Sequence, residues 1–165
     1  MKLCEMSIHD LITVDYACGC GRHHHMAIDH LAIGKGAVNK LTEFLGEQKL
    51  KDGTALSKED KIYVIADVHT WPVAGEVVYD LVKAAGYPVE YYIFPHEEMH
   101  TNEIFIGELQ DVMPKDVKLA IAVGSGTIND LVRMVSFKRQ IPYYIIGTAP
   151  SMDGFATDVA PATIK

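Results

Sequence analysis

Val117-Lys-Leu-Ala-Ile-Ala-Val123, followed at once by Gly124-Ser-Gly-Thr-Ile-Asn-Asp130, decides the fold of this chain. The first seven residues are an almost unbroken apolar run, the form taken by a strand buried on both faces of a parallel sheet. The second seven open a helix, because Ile128, Leu131, Val132 and Val135 fall at i, i+3, i+4 and i+7. Glycines at a strand-to-helix turn let backbone N–H groups come close to a ligand. The helix N-terminus behind them offers unpaired donors and a partial positive charge. Together these suit a phosphate or pyrophosphate. The spacing departs from G-x-G-x-x-G, and a tight structural turn without a ligand accounts for the same residues.

Working outward, strands and helices alternate. Ile62-Tyr-Val-Ile-Ala66 reads as a second buried strand. Thr70 and Pro72 mark the next helix start, Val77, Val78, Leu81, Val82 and Ala85 its apolar stripe, and Gly86 its end. Val89-Glu-Tyr-Tyr-Ile-Phe94 is a strand, residues 101–111 a helix, and Pro142-Tyr-Tyr-Ile-Ile146 a last strand. Upstream, residues 27–33 read as a short strand ended by Gly34-Lys-Gly36. A helix through Val38, Leu41 and Leu45 follows, stopped by Gly46, and then a polar loop over residues 49–61. Residues 1–26 show no clean period. The pattern predicts an α/β fold: right-handed crossovers and a parallel sheet with helices on both faces. Ligands of such sheets lie beyond the strand C-terminal ends. Three of those ends carry small or acidic polar residues: Asp67, residues 124–130 and residues 148–153.

Composition narrows the class. At 165 residues, 48% hydrophobic and 22% charged, the chain is sized and composed for one domain with a full core. A net charge of −7 with no basic stripe argues against nucleic acid as a partner. No apolar run approaches the roughly 18 residues of a membrane span. The N-terminus interrupts its apolar residues with charges, unlike a signal peptide. Cys4, Cys18 and Cys20 are an odd number of thiols, for which a reducing cytoplasm is the simplest setting.

Each constellation has a chemical and a plain reading. A carboxylate at Asp67 can accept hydrogen bonds from an adenosine ribose and would repel a 2′-phosphate. It can equally cap the turn before Thr70. Asp130 suits the helix dipole as well as it suits a ligand. In Thr148-Ala-Pro-Ser-Met-Asp-Gly154 the hydroxyls of Thr148 and Ser151 can reach a cofactor, and Asp153 substrate hydroxyls or a metal. An ordinary Pro/Gly loop is the plain reading. Cys18-Gly-Cys20-Gly-Arg-His-His-His25 is rich in metal-binding side chains, but lacks the two well-separated pairs of a structural zinc site. It reads as a solvated segment with reduced thiols. Trp71 and Pro72 read as packing.

The residues 124–130, Pro142 with its strand, and residues 148–154 with Phe155 together resemble bacterial sn-glycerol-1-phosphate dehydrogenases, of the iron-containing alcohol dehydrogenase, glycerol dehydrogenase and dehydroquinate synthase superfamily. Ile33-Gly-Lys-Gly36, the strand ending in Asp67, and Val73-Ala-Gly75 fit the same pattern, so the resemblance runs from about residue 18 to the C-terminus. It implies a Rossmann-like three-layer domain over residues 27–165, preceded by a Cys/His segment over 1–26. It implies that Asp67 contacts the ribose of NAD, with NADP the alternative cofactor. Gly124, Ser125, Gly126, Thr127, Ile128, Asn129 and Asp130 would cradle the dinucleotide. Thr148, Ala149, Pro150 and Ser151 would line its next part, and Thr157 stands where Ser is usual. Asp153 would contact a glycerol phosphate. The implied reaction is hydride transfer between the nicotinamide and dihydroxyacetone phosphate, whose carbonyl a divalent metal (Zn, Ni or Fe) polarises. The family's metal ligands, one Asp and two His, lie in a following helical domain, so neither metal ligand nor catalytic residue is expected before Lys165. The expectation is a cofactor domain without turnover of its own, whose exposed interdomain face favours a homodimer. A stand-alone nucleotide-binding module, glycerol dehydrogenase or dehydroquinate synthase chemistry, and a metal module around Cys18 remain as alternatives.

Overall fold

The chain enters through a short helix, α1 (Ile8–Thr13), whose Ser7 cap accepts the Asp10 N–H. A hairpin of β1 (Asp15–Ala17) and β2 (His23–His25) follows. A 3-10 turn, Ala37–Lys40, leads into α2 (Leu41–Glu47). From there β and α alternate: β3 (Lys61–Asp67), α3 (Glu76–Ala84), β4 (Val89–Phe94), α4 (Glu103–Val112), β5 (Val117–Gly124), α5 (Gly126–Arg139) and β6 (Tyr143–Gly147). This is a computed structural model, and it describes residues 5–26, 28–151 and 155.

Strands β3 to β6 form one parallel sheet in the order β4-β3-β5-β6. The central strands β3 and β5 are apolar on both faces because helices cover both. On one face Tyr63 and Ile65 of β3 pack with Leu109 of α4 and with Ile128, Leu131, Val132 and Val135 of α5. On the other, Ile62 and Val64 pack with Leu41 and Leu45 of α2 and Val78 and Val82 of α3. The expected three-layer α/β fold is therefore present. Ile128, Leu131, Val132 and Val135 are each 1% exposed or less. At about 1.5–3 kcal/mol per buried side chain, α5 is seated by on the order of 6–12 kcal/mol before entropy.

Local expectations needed correction. Residues 28–33 are not a strand. A strand needs a hydrogen-bonded neighbour, and this stretch instead crosses α2 and β6. His30 stacks on Phe44 at 4.7 Å and meets Tyr144 edge-on, while Ile33 is 72% exposed. Gly46 does not stop its helix; it lies in the last turn, and Gln48 turns the chain out into extended backbone. Val77 belongs to the solvent side of α3, not to its apolar stripe. Thr70 precedes a π turn, Trp71–Gly75, that runs into α3. The cap of α4 is Asn102, whose side-chain oxygen accepts the N–H groups of Ile104 and Phe105.

Candidate functional site

The helix after β3 lies on one face of the sheet and the helix after β5 on the other, so the chain diverges between these two strands. At such a switch point the carboxyl ends of the strands open a crevice. The register brings the relevant residues to it. Ile65 pairs with Ala122, the last pair of that ladder, and Asp67 and Gly124 each lie two residues beyond it. Gly124 pairs in turn with Gly147, and the Thr148 N–H donates to the Gly124 carbonyl at 3.0 Å. The three strand ends that looked separate in sequence are thus adjacent.

Asp67 closes β3. Its Oδ1 accepts the N–H groups of His69 (2.8 Å) and Thr70 (2.7 Å), and its own N–H donates to the Thr70 hydroxyl at 3.0 Å. One carboxylate oxygen therefore builds the turn, as the plain reading held. Oδ2 has no hydrogen bond among the described residues.

Gly124 is required by packing. A Cβ there would lie 2.8 Å from Ile128 Cβ and 2.9 Å from its Cγ1. The absent side chain lets α5 start directly over the strand end. Ser125 caps α5 without a side-chain hydrogen bond, and the Asn129 N–H is the first to find a helical partner, the Ser125 carbonyl. The first-turn N–H groups of Gly126, Thr127 and Ile128 are consequently donors at the mouth of the crevice.

The side chains of that turn separate. Ser125, Gly126 and Thr127 are partly exposed, whereas Ile128, Asn129 and Asp130 are buried. Ile128 offers a ligand only its backbone. Asn129 accepts the Tyr143 hydroxyl at 3.4 Å, and its Nδ2 has no partner among the described residues. Arg133 Nε donates to the same hydroxyl at 2.8 Å, and Arg133 pairs with Asp130 at 3.4 Å. Burial raises the Asp130 carboxyl above its ordinary value, opposed by the Arg133 charge. This network under the crevice went unread in sequence. The i, i+3 spacing of Asp130 and Arg133 was a visible signal; the reach of Tyr143 from the next strand was not. Thr148 is partly exposed, and Ala149, Pro150 and Ser151 are exposed. Asp153 and Thr157 lie outside the described residues.

A second cluster lies in the N-terminal hairpin. Donor atoms of Cys18, Cys20 and His24 all fall within 4.8 Å of one another. Among the described residues it is the one such group of three His, Cys, Asp or Glu side chains.

A family model described as iron-containing alcohol dehydrogenase matches residues 32–165. The chain is 37% identical over 148 residues to glycerol-1-phosphate dehydrogenase [NAD(P)+] of Halalkalibacterium halodurans, covering 87% of this chain and 35% of that one. To the enzyme of the same name from Geobacillus stearothermophilus it is 27% identical over 167 residues, covering 98% and 39%. The chain therefore spans a little over a third of the length of these relatives. Among solved structures, an archaeal halo-thermophilic alcohol dehydrogenase from a Red Sea brine pool superposes with a TM-score of 0.59 at 13% identity, over 86% of this chain and 41% of that one. That likeness supports the fold.

Proposed function

The chain belongs to the iron-containing alcohol dehydrogenase family, and on that premise we propose that its crevice holds the NAD(P) of a glycerol-1-phosphate dehydrogenase. The reaction is hydride transfer interconverting dihydroxyacetone phosphate and sn-glycerol 1-phosphate. The observation that carries this reading is the register that sets the ends of β3, β5 and β6 side by side under the open N-terminus of α5.

The bound nicotinamide supplies the hydride. The chain's own residues hold and orient the dinucleotide. The N–H groups of Gly126, Thr127 and Ile128 donate to the pyrophosphate, helped by the partial positive charge of the helix end. Asp67 Oδ2 accepts a ribose hydroxyl while Oδ1 keeps the turn rigid. A 2′-phosphate beside that carboxylate meets like charge, so NAD is favoured over NADP. The hydroxyls of Thr148, Ser151 and Thr157 serve the next part of the cofactor, and Asp153 the glycerol phosphate. Among the described residues the crevice gathers no set of three metal-binding side chains. No helix among the described residues is long and apolar enough to cross a membrane, and a cytoplasmic setting accompanies the proposal.

Titrating this chain with NADH and following nucleotide fluorescence tests the binding half. Saturable binding displaced by NAD is expected; no binding at millimolar NADH overturns it. Assay of the full-length gene product tests the chemical half. It should oxidise NADH only when dihydroxyacetone phosphate and Zn²⁺ or Ni²⁺ are present, and oxidation of NADH with glyceraldehyde 3-phosphate in its place would point to a different substrate.

A further inference from the structure

The run of three histidines in β2 resolves into different roles once the hairpin forms. Antiparallel register pairs Asp15 with His25, Tyr16 with His24 and Ala17 with His23. Successive side chains alternate across a strand, so His24 stands on the side opposite His23 and His25. His23 Nδ1 lies 3.1 Å from Asp15 Oδ1 and so turns to a carboxylate. His24 turns to the thiols: its Nε2 lies 3.1 Å from Cys20 Sγ.

The turn joining the strands is shaped to bring the two thiols together. The Cys18 N–H donates to the Arg22 carbonyl at 2.8 Å, and the Gly21 N–H to the Cys18 carbonyl at 2.9 Å. Gly21 takes φ +83°, which side chains rarely adopt. Within this turn the Cys20 N–H points at Cys18 Sγ, 3.5 Å away. Both thiols are free.

These distances suit one ion. With metal–sulfur bonds of about 2.3 Å and metal–nitrogen bonds of about 2.0 Å, a tetrahedral site needs S···S near 3.8 Å and S···N near 3.6 Å. The three donor atoms already lie within 4.8 Å of one another, so side-chain shifts of about 1 Å or less close the site. Two thiolates and an imidazole select a borderline-soft divalent cation over Mg²⁺ or Ca²⁺. The hairpin also lacks other support. Its strands are three residues long, and of their six residues only Tyr16 is not exposed. A hairpin of that size is marginal in water without a further constraint.

We propose that Cys18, Cys20 and His24 bind one Zn²⁺ ion, His24 through Nε2, and that the ion staples the N-terminal hairpin. Both thiols release their protons to solvent on binding, and the imidazole binds neutral with its proton on Nδ1. The fourth coordination position is left to water. The site is independent of the dinucleotide crevice and of the reading given to it.

The test is metal analysis of the 165-residue chain purified without an affinity tag that binds metal, reconstituted with equimolar Zn²⁺ and dialysed. About one zinc per chain is expected. Cys20→Ser and His24→Gln should each retain less than a tenth of that, while His23→Gln and His25→Gln retain it. Loading the unsubstituted chain with Co²⁺ instead should give a thiolate-to-cobalt charge-transfer band, a readout that does not depend on the variants folding. Limited proteolysis should cut residues 15–26 faster after chelation. Absence of the cobalt band, zinc retained by Cys20→Ser or His24→Gln, or zinc lost equally from His23→Gln overturns the proposal.

Discussion

Replacing Gly124 with Ala strikes the contact that sets α5 over the strand end. The new Cβ would stand 2.8 Å from Ile128 Cβ and 2.9 Å from Cγ1. Carbon atoms rest at about 3.5–4.0 Å, so the first turn of α5 must retreat by roughly 1 Å. No rotamer of Ile128 relieves this, because the nearest atom is its Cβ, fixed by the helix backbone. The retreat is resisted by Leu131, Val132 and Val135, all fully seated in the core. Overpacking of this kind costs about 1–3 kcal/mol, and a backbone-fixed clash belongs at about 2–3. The same retreat carries the first-turn N–H groups away from the proposed pyrophosphate position. Losing one charge-assisted hydrogen bond, about 1.5–3 kcal/mol, lowers affinity tenfold or more. Urea unfolding followed by circular dichroism reads the first effect, and NADH titration of the folded variant reads the second. A variant within about 0.5 kcal/mol of the parent and with unchanged NADH affinity refutes the packing role. A stability loss with unchanged affinity refutes the placement of the pyrophosphate at α5.

Three further outcomes are expected. Asp67→Gly removes a carboxylate that holds the turn and that the proposed site sets against the ribose, so stability should fall by about 1–2 kcal/mol and NADP affinity should rise relative to NAD; an unchanged NAD/NADP ratio removes Asp67 from the ribose. Arg139 donates to the carbonyls of Gln110, Met113 and Pro114 at the end of α4. Arg139→Met should cost about 2–3 kcal/mol in urea unfolding and Arg139→Lys less, whereas equal costs deny the forked contact. Burial, and then the hydrogen bond to Glu108, push the Tyr92 phenol up to about 12. The unfolded phenol titrates near 10, so this contribution is intact below about pH 10 and is lost as pH rises toward 12. Tyr92→Phe should flatten the fall of stability across that window, and an equally steep fall in the variant counts against it.

Legibility tracked how local the signal was. β3, β4 and β5 were readable because buried parallel strands are continuous apolar runs bounded by turn residues, and α5 because its stripe is strictly periodic. Residues 28–33 carry the same apolar character without a strand partner, which no local pattern reveals. Gly46 does not mark the helix end, since a glycine is tolerated in the last turn of α2. Asp67, Gly124 and Thr148 are legible in the sequence as strand-end residues, but their adjacency depends on the β4-β3-β5-β6 order. The Asn129–Tyr143–Arg133 contacts and the meeting of Cys18, Cys20 and His24 depend on long-range or hairpin register, and spacing alone pointed away from the latter.

The central claim is that a dinucleotide lies across the ends of β3, β5 and β6 beneath α5. Backbone amide chemical shifts of the isotope-labelled chain during NADH titration test it most directly. The account predicts saturable shifts concentrated at Asp67, Gly124 to Ile128 and Thr148, with the hairpin amides of residues 15–25 unmoved. Shifts concentrated in the hairpin or on the outer face of α3, or none at saturating NADH, would contradict it.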